Sequence, residues 1–182
     1  MLDAIISSKT RINLLIKFFL FDGNQSYLRK MEKEFNESNN AIRVELNRLT
    51  DAGLLTSVYQ GKKRFFMANP NHPLYEHLQQ IVRISLGVDQ ITEHVISKIE
   101  KLEAAYITGN FARGIDSDTI ELALVGPDPD RDTIDELVRE AEKIISRKIM
   151  YLTFTTKQMD YFFRNEPAWL IWKRKNKSHQ KK

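Results

Sequence analysis

The sequence predicts an α+β protein in two parts: an N-terminal helical section closed by a β-hairpin, and a C-terminal α/β section. Three stretches carry that expectation. In residues 38–53, SNNAIRVELNRLTDAG, Ser38 is suited to accept an unpaired backbone N–H of the first turn. Ile42, Leu46 and Leu49 recur at i, i+4 and i+7 as one apolar stripe, and Gly53 is suited to the left-handed residue that ends a helix. In residues 55–67 the side chains change character with a period of two about the turn residues Gln60 and Gly61, which reads as a hairpin. In residues 104–155 three strand-like runs surround one amphipathic helix.

Taken in order, a first helix runs from Ser8 or Thr10 to about Phe21, burying Ile12, Leu15, Ile16, Phe19 and Leu20, and Asp22-Gly23-Asn24 stops it. Ser26 opens a shorter helix with Leu28, Met31 and Phe35 inward, and Asn36-Glu37 turns the chain into the helix at 38–53. Two helices joined by a tight turn match the helix-turn-helix plan. Asn39, Asn40, Arg43 and Asn47 lie mostly off the apolar stripe, and such side chains hydrogen-bond base edges and phosphates. The hairpin tip carries Lys62, Lys63 and Arg64, three cations suited to phosphates.

A helix over 72–86 follows, with Leu74, Leu78, Ile81, Val82 and Ile84 inward, and then another from about Val88 to Lys101. Strands are expected at 105–108, 120–125 and 148–155, with a helix at 132–147 burying Ile134, Leu137, Val138, Ala141, Ile144 and Ile145. A last helix begins near Thr156 with Met159, Phe162 and Phe163. The resulting division is 1–72, a connecting and dimerising segment 73–102, 103–172, and a basic disordered tail 173–182.

The chain has 182 residues, a hydrophobic content of 42% and a net charge of +4. That charge is unevenly spread. Residues 1–88 carry 12 Lys/Arg against 8 Asp/Glu, residues 89–172 carry 10 against 16, and residues 173–182 carry 6 against none. The basic ends suit a polyanion and the acidic middle does not. There is no apolar run of the roughly eighteen residues a membrane span needs. The absence of cysteine excludes disulfides and thiolate metal sites, and the four histidines are scattered. A cytoplasmic protein is expected.

Residues 1–70 resemble winged-helix transcriptional regulators of the ArsR/MarR-like type. The resemblance rests on Ser26-Tyr27-Leu28-Arg29-Lys30, on Ser38-Asn39-Asn40-Ala41-Ile42 through Leu49-Thr50-Asp51-Ala52-Gly53-Leu54-Leu55, on Lys63-Arg64-Phe65-Phe66, and on the stretch from Ala68 to Leu74. It implies DNA contact by Ser38, Asn39, Asn40, Arg43, Asn47, Lys62, Lys63 and Arg64. The C-terminal section, from Gly109-Asn110 through Arg113-Gly114 to the strand before Gly126-Pro127, resembles the small nucleotidyltransferase domains of the polymerase-beta-like superfamily. Those domains carry a Gly-Ser turn and an Asp-x-Asp pair that holds two magnesium ions. Here Asn110 stands for the serine, and Thr119 and Glu121 fall at the paired positions. The resemblance therefore implies a domain that has lost its metal site. Gly109, Asn110, Arg113 and Gly114 remain as candidates for binding a nucleotide or another anion.

The expected function is sequence-specific recognition of double-stranded DNA by a homodimeric transcriptional regulator. The C-terminal domain would then serve dimerisation or the sensing of a small-molecule or nucleotide effector. No catalytic residue, metal or cofactor is expected, and the chain is expected not to be an enzyme. The alternative is a nucleotidyltransferase enzyme with the winged helix as its targeting module. A third reading is a protein-binding module built on Phe65, Phe66, Trp169 and Trp172.

Overall fold

Ser8, in extended conformation, accepts the Arg11 N–H and starts α1 (Lys9–Phe19). The computed structural model describes residues 2–127, 130–145, 147–164 and 166–174. These fall into two units. One comprises the chain up to Gly87 together with Asn110–Ser117; the other comprises Val88–Gly109 and the chain from Asp118 onward. The expected connecting segment 73–102 is thus divided between them, and the expected tail lies outside the described residues from 175 onward.

In the first unit α1 is followed by β1 (Gln25–Tyr27), α2 (Leu28–Phe35), α3 (Asn39–Asp51), β2 (Leu55–Gln60), β3 (Lys63–Ala68) and α4 (Tyr75–Leu86). The expected helix start at Ser26 is corrected: residues 25–27 form a strand that pairs antiparallel with β3, Ser26 opposite Phe66. The sheet order is β1-β3-β2, with Leu55 opposite Ala68 and Gln60 opposite Lys63. Asn36 takes the left-handed conformation (φ 51°) between α2 and α3, and Gly53 (φ 74°) follows α3. Ile42, Leu46 and Leu49 are buried as their spacing predicts. On α4 Val82 is buried as expected, but Leu74, Ile81 and Ile84 are exposed, and Ser85 and Leu86 are buried instead. The helix turns a neighbouring stripe inward, with the Ser85 hydroxyl donating to the Val82 carbonyl.

Helix α1 is buried on nearly all sides, including Asn13 and Lys17, whose side chains are 1% and 3% exposed. Each has partners. The Lys17 ammonium donates to Glu34 Oε2 at 2.8 Å and to the Arg113 carbonyl at 2.7 Å. The Asn13 carbonyl oxygen accepts the Asp116 N–H at 3.0 Å, and its amide donates to Glu37 at 3.4 Å. Burial pushes the Lys17 pKa down, and the Glu34 carboxylate opposes that shift. An uncompensated buried charge costs several kcal/mol, so these contacts are what allows Lys17 to sit inside.

The second unit is a four-stranded sheet of order β6-β5-β4-β7. Helix α5 (Val88–His94) precedes β4 (Ala104–Thr108); the short α6 (Gly109–Arg113), which from Asn110 on belongs to the first unit, comes between β4 and β5 (Thr119–Val125) in the chain. Then come α7 (Arg131–Ile145), β6 (Lys148–Phe154), α8 (Thr156–Phe162) and β7 (Trp169–Lys173). The expected helix from Val88 to Lys101 ends early, giving way to a 3-10 turn at Ile96–Lys98. Its β-branched residues Val95, Ile96 and Ile99 are nonetheless all buried. Strands β4 and β5 are antiparallel, while β5 and β6 are parallel and joined through α7. On α7 Ile134, Val138 and Ala141 face the core, but Ile144, expected inward, is exposed. Thr155 caps α8 in a reciprocal box with Gln158. Strand β7, not expected from the sequence, forms the edge beside β4 and extends to Lys173.

Gly114 (φ 83°) shows how closely 110–117 packs on α1: a Cβ there would lie 2.6 Å from Lys17 Cα. Gly114→Ala is expected to lower stability by about 2 kcal/mol or more, combining overpacking with a strained φ. Gly23→Ala, with the same sign of φ but open space, is the control and should lose about half as much. Urea midpoints at constant slope would measure both.

Candidate nucleic-acid interface

The N-terminal half of α3 and the β2–β3 hairpin lie on one side of the first unit. Ser38 accepts the Ala41 N–H and so caps α3. One turn on, Arg43 donates to the Asn40 carbonyl oxygen at 2.9 Å, so that these two expected contacts lie together and exposed. Asn39 turns toward α2, its amide 3.5 Å from Glu32 Oε2.

The hairpin turns at Gly61 and Lys62, and Lys63 and Arg64 already belong to β3. The Lys63 ammonium stands 4.5 Å from the centre of the Tyr27 ring. The Arg64 guanidinium covers the Phe66 ring at 4.9 Å and donates to the Ser57 hydroxyl. Arg64 therefore lies back along the hairpin, and Lys62 occupies the turn.

Between α3 and the hairpin is a cleft of 720 Å³. Arg43 and Asn47 line it from α3, and Lys62, Lys63 and Arg64 from the hairpin. Its floor includes Tyr27, Leu46 and Phe66. Five cations line the cleft and no acidic residue does, which makes a concave surface of one sign that concentrates anions. The fifth cation, Arg29, was not among the expected site residues. It lies in the first turn of α2, within the quoted Ser26–Lys30 motif, and only the folding of α2 beside α3 brings it to the cleft.

Behind the cleft, α3 is anchored by Glu45, whose side chain is 8% exposed. It accepts Arg11 Nε at 2.9 Å, the Ser8 hydroxyl at 3.1 Å and Arg48 at 3.2 Å. Burial is the largest influence and pushes the Glu45 pKa up. The Arg11 and Ser8 hydrogen bonds, with the charges of Arg11 and Arg48, outweigh it, and the net shift is down.

The four candidates for nucleotide or anion contact are distributed differently. Gly109 (φ 61°) belongs to the second unit, and Asn110, Arg113 and Gly114 to the first. In the second unit the Glu121 carboxylate lies against Gly109, where a Cβ would be 1.9 Å from Glu121 Oε1. Glu121 stands opposite Thr108 in the β4–β5 register. In the first unit the Asn110 amide donates to Ser117 Oγ, the Arg113 carbonyl accepts Lys17, and Gly114 packs on α1. Both glycines thus have a packing reason to lack a side chain. The two-ion site that the nucleotidyltransferase resemblance brings with it does not fit the donors of β5, which offers Glu121 and, two residues before it, the uncharged Thr119.

No protein-family profile matches the chain, and neither does any curated protein. Solved structures of toxin–antitoxin systems are similar to about half of it. One is the pair MntA–HpeT carrying two Asp-to-Glu substitutions, at 16% identity and TM-score 0.39, over 48% of this chain and 74% of that one. Another is a tri-AMPylated HEPN toxin with MNT antitoxin from Shewanella oneidensis, at 16% identity and TM-score 0.37, over 49% and 71%. A third is a toxin–antitoxin with AMP-PNP, at 17% identity and TM-score 0.41, over 50% and 76%. The expectation that the chain is not an enzyme is not kept; of these structures, one contains an AMPylated toxin and another a nucleotide analogue. Among the described residues no helix is long and apolar enough to cross a membrane.

A depressed carboxylate pKa stabilises the fold at pH values above the unfolded pKa, and that contribution is lost as pH falls through the folded one. The Glu45 contribution is therefore complete above about pH 4.5 and disappears on acidification below it. Glu45→Gln should cost about 1.5–3 kcal/mol at pH 7, the range for hydrogen bonds to charged groups. The difference from the parent protein should shrink toward pH 3 in chemical denaturation.

Proposed function

We propose that the chain is a nucleotidyltransferase-like protein with an N-terminal winged helix that binds double-stranded DNA. The observation that carries this reading is the cleft between α3 and the β2–β3 hairpin, lined by Arg29, Arg43, Asn47, Lys62, Lys63 and Arg64. In it α3 enters the major groove, Asn40, Arg43 and Asn47 meet base edges, and the hairpin acts as the wing whose lysines meet phosphates. One such unit buries limited surface, so the protein binds as a homodimer on paired half-sites. Its role is transcriptional regulation, with a nucleotide as effector or substrate of the second unit.

Fluorescence anisotropy on a duplex from the protein's own upstream region and on a scrambled duplex tests the base-reading role. Arg43→Ala should weaken the first by about 1–3 kcal/mol, the worth of one bidentate base contact, and the second by much less. Equal loss on both would reduce Arg43 to a phosphate contact.

A second reading is nucleotidyl transfer with the winged helix as targeting module, for which Glu121, beside the Gly109 turn, is the one carboxylate that β5 offers. It predicts that the protein consumes a nucleoside triphosphate in the presence of magnesium. It also predicts that Glu121→Gln lowers turnover at least tenfold while DNA affinity stays unchanged. A turnover rate unaffected by Glu121→Gln would remove this residue from the chemistry.

A further inference from the structure

We infer that the second unit carries its own phosphate-binding cleft, formed by Lys101, Lys173 and Arg174, which takes the sugar–phosphate backbone of DNA. The inference rests on the DNA-binding reading above and extends it to a site outside the α3–hairpin cleft.

The cleft encloses 490 Å³ and is lined by Lys101, Glu103, Pro127, Lys173 and Arg174. Backbone pairing fixes its walls. Lys173 ends β7 opposite Ala104 of β4, and the Arg174 N–H continues the ladder to the Glu103 carbonyl at 2.9 Å. The Arg174 guanidinium is oriented by donation from Nε to the Leu102 carbonyl at 2.7 Å, which leaves its terminal nitrogens for a ligand. Lys101 sits in the left-handed conformation (φ 60°) at the turn before β4, where a Cβ on Gly126 would come within 2.6 Å of the Lys101 carbonyl oxygen.

Lys101, Lys173 and Arg174 gather at one end of the sheet. The one carboxylate lining the cleft, Glu103, accepts the Thr156 hydroxyl. Among the described residues no carboxylate forms an ion pair with the three cations. Three exposed cations against the single carboxylate of Glu103 leave the cleft with an excess of positive charge, and an anion relieves the repulsion among them. A guanidinium with two flanking ammonium groups suits phosphate oxygens, and the sequence beyond Arg174 adds further cations and no acids. The cleft is open rather than enclosed, which suits a chain of phosphodiesters passing across it better than a single small anion.

The test is a salt series on the full-length protein with a random-sequence duplex, comparing the parent chain with Lys101→Gln/Lys173→Gln. Each phosphate contact contributes about 0.9 to the slope of log K against log salt. The double variant should lose about two units of slope and bind several-fold more weakly at low salt, on random and upstream duplexes alike. Lys101→Arg/Lys173→Arg should restore both quantities, which separates charge from structure. An unchanged slope in the glutamine variant, with circular dichroism and melting temperature retained, would overturn the site. If the parent chain binds no duplex at low salt, the DNA-binding reading falls, and the same variants are compared on inorganic polyphosphate. Binding there that depends on Lys101 and Lys173 would keep the phosphate cleft without DNA as its ligand; binding that does not depend on them would sink it.

Discussion

The first unit depends on a buried ammonium. Lys17 lies on the buried side of α1, and the cost of removing its charge from water is offset only where Glu34 and the Arg113 carbonyl meet it. Glu34 belongs to α2, so this bond fixes α1 and α2 against each other. Asn13, one turn earlier on the same face, ties the turn before α3 in the same way through Glu37. Thr10, on α1, also donates to Glu37. The exposed face of α3 is thus held in position by polar bonds from α1 made at its back, with Glu45 completing the set.

The parts legible in the sequence were those whose signal is local. Helix α3 announced itself through Ser38, the Ile42–Leu46–Leu49 stripe and Gly53, because capping and periodicity are decided within one helix. The hairpin was equally plain, since Gly61 and the alternating residues around it lie close together in the chain. What escaped was set by distant partners. Strand β1 has only three residues, and nothing in Gln25-Ser26-Tyr27 says strand until Phe65–Met67 pairs with it. Strand β7 needs β4, which lies more than sixty residues earlier. On α4 the apolar residues form two adjoining stripes, and periodicity alone does not choose between Leu74–Ile81–Ile84 and Val82–Leu86.

The candidate sites show the same division. Arg43, Asn47 and the hairpin cations could be named from sequence because each sits on an element that could itself be read. Arg29 and Tyr27 join them only through the packing of α2 and β1. Gly109 and Gly114 carry the opposite lesson. A glycine in a turn reads as room for a phosphate, but Glu121 occupies that space at one and α1 presses on the other. The requirement for glycine was legible, whereas the atom that imposes it was not.

The membership of Asn110–Ser117 in the first unit bears on how this protein can be divided. A fragment ending at Gly87 keeps every residue of α1 through α4, yet it removes the carbonyl that receives Lys17 and the N–H that Asn13 accepts. It leaves a lysine designed for burial short of one partner and strips the cover from one side of α1. Modularity at the level of the gene therefore does not follow modularity in space. A contiguous N-terminal cassette moved into another protein would arrive without eight of its own residues, and a faithful transplant would have to supply their equivalent from the new host.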